Sequence, residues 1–306
     1  MTDLPEFSAS APARPCPVCR AREHVLFLEE RLRPEACTSL TYASRKTPEF
    51  MCHRLLRCLN CDAVYAARPP DEAFLGQAYG QADYDSREEA AFAAGTYARA
   101  LAPFLAGLDR TLALDVGAGD GAMLAEYRKL GFGRVVGVEP SLAAIAAAPP
   151  EIREFLRPGL FSPDLAGDLK PNLVSSFMTL EHLRDPGDFL RSARGLLAPG
   201  GLAAVVVHNR RAALNRLLGR WSPIIDVEHL QLFSPQAVER LFTLAGFGQV
   251  RVVRLKNRYP LGYWLRLAPL PAGIKNRLLG LAGQTGLSRA AMSFNVGNIL
   301  AVGRKQ

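Results

Sequence analysis

Two carboxylates and a set of glycines are the first residues whose spacing suggests chemistry. In TLALDVGAGDG, residues 111–121, an apolar run ends in Asp115, and glycines follow at 117, 119 and 121. A helix-compatible AMLAEYRKL comes next. That order reads as a buried strand, a tight turn and a helix start. Glycine has no Cβ, so backbone amides there can approach a ligand closely, and a helix N-terminus favours a polar or anionic group. An adenosine-type cofactor is the first expectation. A second apolar run, RVVGVE at 134–139, also ends in an acid, Glu139, at a position suited to the two hydroxyls of a ribose. Gly117, Gly119 and Ala122 also satisfy the relaxed G-x-G-x-x-G/A pattern of nicotinamide and flavin sites, so the loop alone leaves both cofactor types open.

Four cysteines form another constellation. Cys16 and Cys19 in CPVC, with Cys58 and Cys61 in CLNC, make two C-x-x-C knuckles that can present four thiolates to one ion. A structural Zn2+ is expected, because four protein ligands leave no open coordination position. Residues 55–57 and 63–65 read as the strands of a hairpin around the second knuckle. A module this small needs the metal for its folding energy. Cys37, Cys52, His24 and His53 belong to no knuckle and are set aside.

Three histidines, His182, His208 and His229, fall at or near expected strand ends. Imidazole titrates near neutrality and can take a proton from an acceptor hydroxyl or amine. His229 is the first candidate for that base, His182 the second and His208 the third.

The elements that must position these groups alternate. Strands are expected near 111–116, 134–139, 153–157, 173–178 and 203–208, and helices near 121–131, 141–148, 186–197 and 234–245. Such alternation implies a mostly parallel sheet with ligands at the strand C-terminal ends. The 306 residues, 49% apolar and 22% charged, suit one large α/β domain and a small module. No uninterrupted apolar run reaches about 18 residues, so no membrane span is expected. The first fifteen residues, rich in Pro, Ala and Ser, read as a flexible leader; they show no basic start with an apolar core, which points to the cytoplasm, where paired cysteines favour metal over disulfides.

LDVGAGDG at 114–121, GVEPS after the next strand, the E-H-x-x-D-P run with L-x-P-G-G in TLEHLRDPGDFLRSARGLLAPGG, and H-x-x-x-F-S in HLQLFS follow one another in order. Over residues 111–250 the chain resembles the class I S-adenosylmethionine (SAM) dependent methyltransferases. The resemblance implies SAM as cofactor and a Rossmann-like, seven-stranded, doubly wound α/β sheet whose last strand is antiparallel. It implies Asp115 at the methionine end of SAM, Gly117 and Gly119 beside the cofactor and Glu139 on its ribose. The expected organisation is a leader at 1–15, a zinc-ribbon module at 16–68, a helical connector at 69–110 and a SAM-binding domain at 111–306.

The ribbon, CPVC followed by LLRCLNCDAVY, resembles that of bacterial methyltransferases of sugar, glycan and natural-product assembly. The zinc-ribbon ribosomal RNA methyltransferases usually replace one second-knuckle cysteine by histidine, whereas Cys61 stands here and the ribbon lacks interleaved stacking aromatics. A small-molecule or glycan-linked acceptor is therefore expected ahead of nucleic acid. Sugar C-methyltransferases carry a further C-terminal domain for which little chain is left, so O- or N-methylation is expected. A non-catalytic SAM-binding adaptor is the reading from a different class. The net charge of +8, with basic stretches at 209–221 and 254–267, also suits acidic partners or peripheral contact with an anionic membrane. The oligomeric state is not legible.

Overall fold

The computed structural model describes residues 13–43, 49–268 and 270–306. Most of the expected leader therefore lies outside the described residues. Three antiparallel strands come first, β1 (His24–Leu28), β2 (Leu55–Cys58) and β3 (Val64–Ala66). Two helices follow, α1 (Glu72–Gly80) and α2 (Arg87–Leu101). The alternating part runs β4 (Leu112–Val116), α3 (Ala122–Lys129), β5 (Arg134–Glu139), α4 (Leu142–Ala147), α5 (Pro150–Arg153), β6 (Leu156–Pro158), α6 (Pro163–Ala166), β7 (Leu173–Phe177), α7 (Pro186–Leu196) and β8 (Leu202–His208). The remainder is α8 (Ala213–Leu218), β9 (Gln231–Leu232), α9 (Pro235–Leu244), β10 (Gly248–Arg254), β11 (Asn257–Pro260), α10 (Leu261–Leu267), α11 (Ala272–Gln284), β12 (Ala291–Phe294) and β13 (Asn298–Arg304).

Seven strands form the central sheet in the order β10-β13-β8-β7-β4-β5-β6. Pairings among β4 to β8 are parallel, and β13 is antiparallel between β8 and β10. The expected sheet, with its final strand reversed, is thus present. Alternate residues of each strand serve opposite faces. Leu114, Val136 and Val174 pack with Phe189, Leu190 and Val238 on one side, while Ala113, Val135 and Leu173 pack with Leu101, Leu124 and Tyr127 on the other.

Local chemistry sets the helix starts. Asp185 accepts the amide of Asp188 at 2.9 Å before α7, and Ser234 accepts that of Ala237 at 3.2 Å before α9; a proline occupies the first turn of each. The third strand differs from expectation. Pro150 initiates a helical turn at Pro150–Arg153, so the strand expected at 153–157 begins only at Leu156. Among the described residues no helix is long and apolar enough to cross a membrane.

The cysteine-bearing hairpin is joined to the rest through its own sheet, whose order is β1-β2-β3-β9. Val64 pairs with Leu232 and Tyr65 with Gln231, and the Ala66 amide donates to the Leu230 carbonyl at 2.8 Å. Two arginine contacts reinforce the joint. Arg14 donates to the carbonyls of Ala66 (2.9 Å), Arg184 (2.7 Å) and Leu230 (3.1 Å). The Asp62 carboxylate is gripped by Arg210 and by Arg211, the latter at 2.7 and 2.8 Å.

Gly137 in β5 shows how closely the first loop lies on its neighbour. A Cβ there would stand 2.6 Å from a Leu156 methyl carbon and 2.8 Å from the Ala118 Cβ. Gly137→Val should destabilise the chain by about 1–3 kcal/mol through overpacking. Urea unfolding followed by circular dichroism measures this, and an unchanged midpoint would contradict the packing described.

Candidate active site

A cleft of about 1260 Å³ opens at the C-terminal ends of β4, β5, β7 and β8. Asp115, Gly117, Gly119 and Glu139 line it, and so do His182, His208 and His229. Every residue expected to touch cofactor or acceptor therefore reaches one cavity.

Asp115, the penultimate residue of β4, is 3% exposed, and its carboxylate accepts the Ser175 hydroxyl at 2.5 Å. Burial pushes its pKa up to about 7, with the Ser175 hydrogen bond opposing and the nearby Glu139 charge adding to the rise. Glu139 ends β5, and each of its oxygens accepts one backbone amide at 2.8 Å, from Gly119 and from Ser141. Burial raises its pKa as well, against those two hydrogen bonds. A carboxylate oxygen can accept more than one hydrogen bond, so Glu139 keeps capacity for hydroxyl donors.

The glycines act more through shape than through their amides. Gly117 and Ala118 donate to the Val138 carbonyl at 2.9 and 3.1 Å, and the Gly119 amide goes to Glu139. Gly117 has φ of +75°, and a Cβ there would fall 2.2 Å from the Thr179 hydroxyl oxygen. Its lack of a side chain lets the first loop lie against the loop after β7.

The histidines come from three different places: the loop after β7, the last residue of β8 and the loop before β9. The rings of His182 and His229 are 4.9 Å apart between centroids, and those of His208 and His229 are 5.3 Å apart. His229 Nδ1 lies 2.9 Å from the Ile224 carbonyl, and His182 Nδ1 lies 3.1 Å from that of Glu228. A carbonyl only accepts, so in neutral rings both Nδ1 atoms carry the proton and Nε2 is the basic nitrogen. His208 is different. Burial, then the neighbouring His229, lowers its pKa to about 3, which keeps it uncharged at neutral pH and unsuited to act as the base.

Two carboxylates that the sequence reading left without a role surround this trio. Glu228 Oε2 lies 3.8 Å from His182 Nδ1, and His182, Glu228 and His229 offer ligand atoms that all lie within 4.8 Å of one another. Its signal in the sequence was adjacency to His229. Glu181 is wholly buried, accepts the His208 amide at 2.7 Å and has its pKa pushed up to about 7 by burial. Its backbone carbonyl accepts the amides of Leu230 and Gln231, while the Gln231 side chain donates to the carbonyls of Leu180, Glu181 and Leu183. The segment carrying Glu228 and His229 is thereby tied to the segment carrying His182.

The four knuckle cysteines lie apart from the cleft and meet in one cluster, their sulfurs all within 4.8 Å of one another. Cys16 Sγ is 3.5 Å from Cys61 Sγ, and Cys19 Sγ is 3.5 Å from Cys58 Sγ. Tetrahedral thiolates around zinc stand about 3.8 Å apart, so the donor set fits such an ion. The residue after each knuckle, Arg20 and Asp62, has φ of 63° and 66°, so both turns close alike. A hydrogen bond from Cys61 lowers the Cys16 pKa to about 5, whereas burial pushes Cys19 up to about 11. Four thiolates this close repel one another, and a bound cation would offset that. The cluster could hold a metal.

Comparison with known proteins agrees with this architecture. The chain is 38% identical over 103 residues to a ubiquinone biosynthesis O-methyltransferase of Caulobacter sp. (strain K31), a match covering 32% of this chain and 40% of that protein. A ubiquinone biosynthesis O-methyltransferase of Rhodopseudomonas palustris (strain HaA2) is 27% identical over 148 residues, 45% of this chain and 57% of that one. The chain thus spans about half the length of these curated relatives or less. Among solved structures, the plantazolicin methyltransferase BpumL, in complex with a monoazolic desmethylPZN analog and SAH, superposes with a TM-score of 0.50 at 17% identity. That match covers 78% of this chain and 91% of BpumL, and it speaks for the fold. Residues 87–252, just over half the sequence, match the family described as methyltransferase domain. The chain belongs to that family, whose class I SAM-dependent fold it shares.

Proposed function

We propose that the cleft transfers a methyl group from SAM to an oxygen or nitrogen of a small-molecule or glycan-linked acceptor, with a hydroxyl preferred. One observation carries this reading. The Asp115–Glu139 pair and two histidines with their Nδ1 atoms on backbone carbonyls line the same cavity. The relatives named as O-methyltransferases support oxygen as the acceptor atom.

SAM supplies an electrophilic methyl on a sulfonium, so the chain's task is mainly to bind and orient. Asp115 would pair with the ammonium at the methionine end, and Glu139 would accept the ribose hydroxyls. His229 Nε2 would take the acceptor proton, with His182 beside it as the second base and Glu228 stabilising the charged ring. The cysteine cluster would hold a structural zinc, which suits a reducing compartment such as the cytoplasm. In this plan residues 16–68 form the ribbon, 69–110 the connector and 111–306 the SAM domain.

Asp115 must be ionised to pair with an ammonium, and its pKa near 7 sets the expected pH response. Affinity for SAH, measured by titration calorimetry, should rise between pH 6 and pH 8. Asp115→Asn should flatten that rise and weaken binding at pH 8 by about tenfold or more, the scale of one charge-assisted hydrogen bond. Equal affinity in the variant at both pH values would remove Asp115 from the cofactor site.

His229→Gln should lower kcat by roughly 10²–10⁴-fold against catechol and sugar-hydroxyl acceptors while leaving SAH affinity within about twofold. Undiminished turnover would assign the proton to another group. Purified protein should contain about one zinc per chain. Cys58→Ser should lose the metal and lower the Tm, and a metal-free wild-type protein never exposed to chelators would refute the zinc assignment.

A further inference from the structure

Two segments at the rim of the cleft expose apolar side chains that the proposed reaction does not use. On α8 and just beyond it, Leu217 is 84% exposed and Trp221 57%. On α11, Ile274, Leu278 and Leu281 recur at helical spacing, with Leu281 60% exposed, and Leu287 follows. These are two sides of one mouth, since Leu214, Leu218 and Trp221 line the cleft from α8, and Trp264, Arg266 and Lys275 line it from α10 and α11.

Within the two stretches every charged side chain is cationic. Residues 209–225 contain Arg210, Arg211, Arg216 and Arg220, and residues 261–297 contain Arg266, Lys275, Arg277 and Arg289, with no Asp or Glu in either stretch. Arg210 and Arg211 are held by Asp62, and Arg266 is paired with Glu89 at 3.0 Å. The Arg220 guanidinium lies 5.2 Å from the Trp221 ring centroid, beside the exposed leucines. The acidic residues of the mouth, such as Glu89, Asp226 and Glu228, line the cleft itself. Leucine, isoleucine and tryptophan flanked by cations within these stretches is the composition of a surface that rests in a lipid headgroup layer. A second copy of the chain fits poorly, because a two-fold contact through this face would set cations against cations.

We propose that the rim formed by α8 and the α10–α11 cap docks on an anionic lipid surface, with the mouth of the cleft facing the bilayer. Leucines and tryptophan would enter the headgroup layer while the arginines and Lys275 meet lipid phosphates. An amphiphilic acceptor would then reach the histidines directly from the membrane. The route of the acceptor rests on the methyltransfer reading, but lipid binding does not depend on it.

Cosedimentation of the full chain with vesicles tests this. Vesicles of phosphatidylglycerol and phosphatidylcholine in roughly equal parts should bind the protein at least tenfold more tightly than phosphatidylcholine alone, and salt should weaken the binding. Leu217→Glu combined with Leu281→Glu should reduce that binding by tenfold or more, while SAH affinity by calorimetry stays unchanged, since neither side chain lines the cleft. Equal partitioning to both vesicle types, or a double variant that binds as the wild type does, would overturn the proposal. So would a dimer in sedimentation equilibrium that the double variant abolishes without any lipid binding, because a second copy would then cover this face. Loss of SAH binding alone would fault the methyltransfer reading and leave the lipid contact standing.

Discussion

The antiparallel pairing of β3 with β9 is the constraint on which the active-site geometry rests. β9 is only two residues long, and it follows the segment that carries Glu228 and His229. So short a strand has little stability of its own. Its position is fixed from both sides, by the cysteine-bearing hairpin through Tyr65 and Ala66 and by the loop after β7 through Glu181 and Gln231. The Gln231 side-chain amide donates to three backbone carbonyls, those of Leu180, Glu181 and Leu183. Buried amide networks that are satisfied in this way define one arrangement and penalise others. These bonds hold the loops that carry His182 and His229 against each other.

Burial does the electrostatic work in the cleft. It raises Asp115 and Glu181 to about 7 and lowers His208 to about 3. The sign is the same for the two carboxyls. An acid whose folded pKa stands above its unfolded value favours folding fully below the unfolded value and loses that contribution as pH rises through the folded one. For these groups the window runs from about pH 4 to 7, and above it the fold carries the cost of ionising both buried carboxyls. A cation bound beside Asp115 would offset that cost and so add to fold stability.

Much of this was legible from residue order alone. The alternation of apolar runs and helical segments gave the parallel sheet, and Asp115 and Glu139 were visible because each stands at or next to a strand's end. The cysteine knuckles were visible because their spacing has few other physical uses. What could not be read was contact between distant segments. Nothing local in Gln231–Leu232 marks a strand, since its partner lies more than 160 positions earlier. Arg210 and Arg211 read as free surface charge, yet both close on Asp62. Glu228 was passed over because a carboxylate beside a histidine gains meaning only when another histidine arrives opposite it. The delayed third strand was the one local error, and Pro150 was its visible cause.

Since β9 completes the hairpin's sheet, the chain cannot be divided where its cysteines end. A fragment that begins after residue 68 would leave β9 with an uncovered edge and Leu232, buried in the whole chain, newly facing water. A change of twist in the cysteine-bearing hairpin would reach His229 through β9, which begins two residues after that histidine.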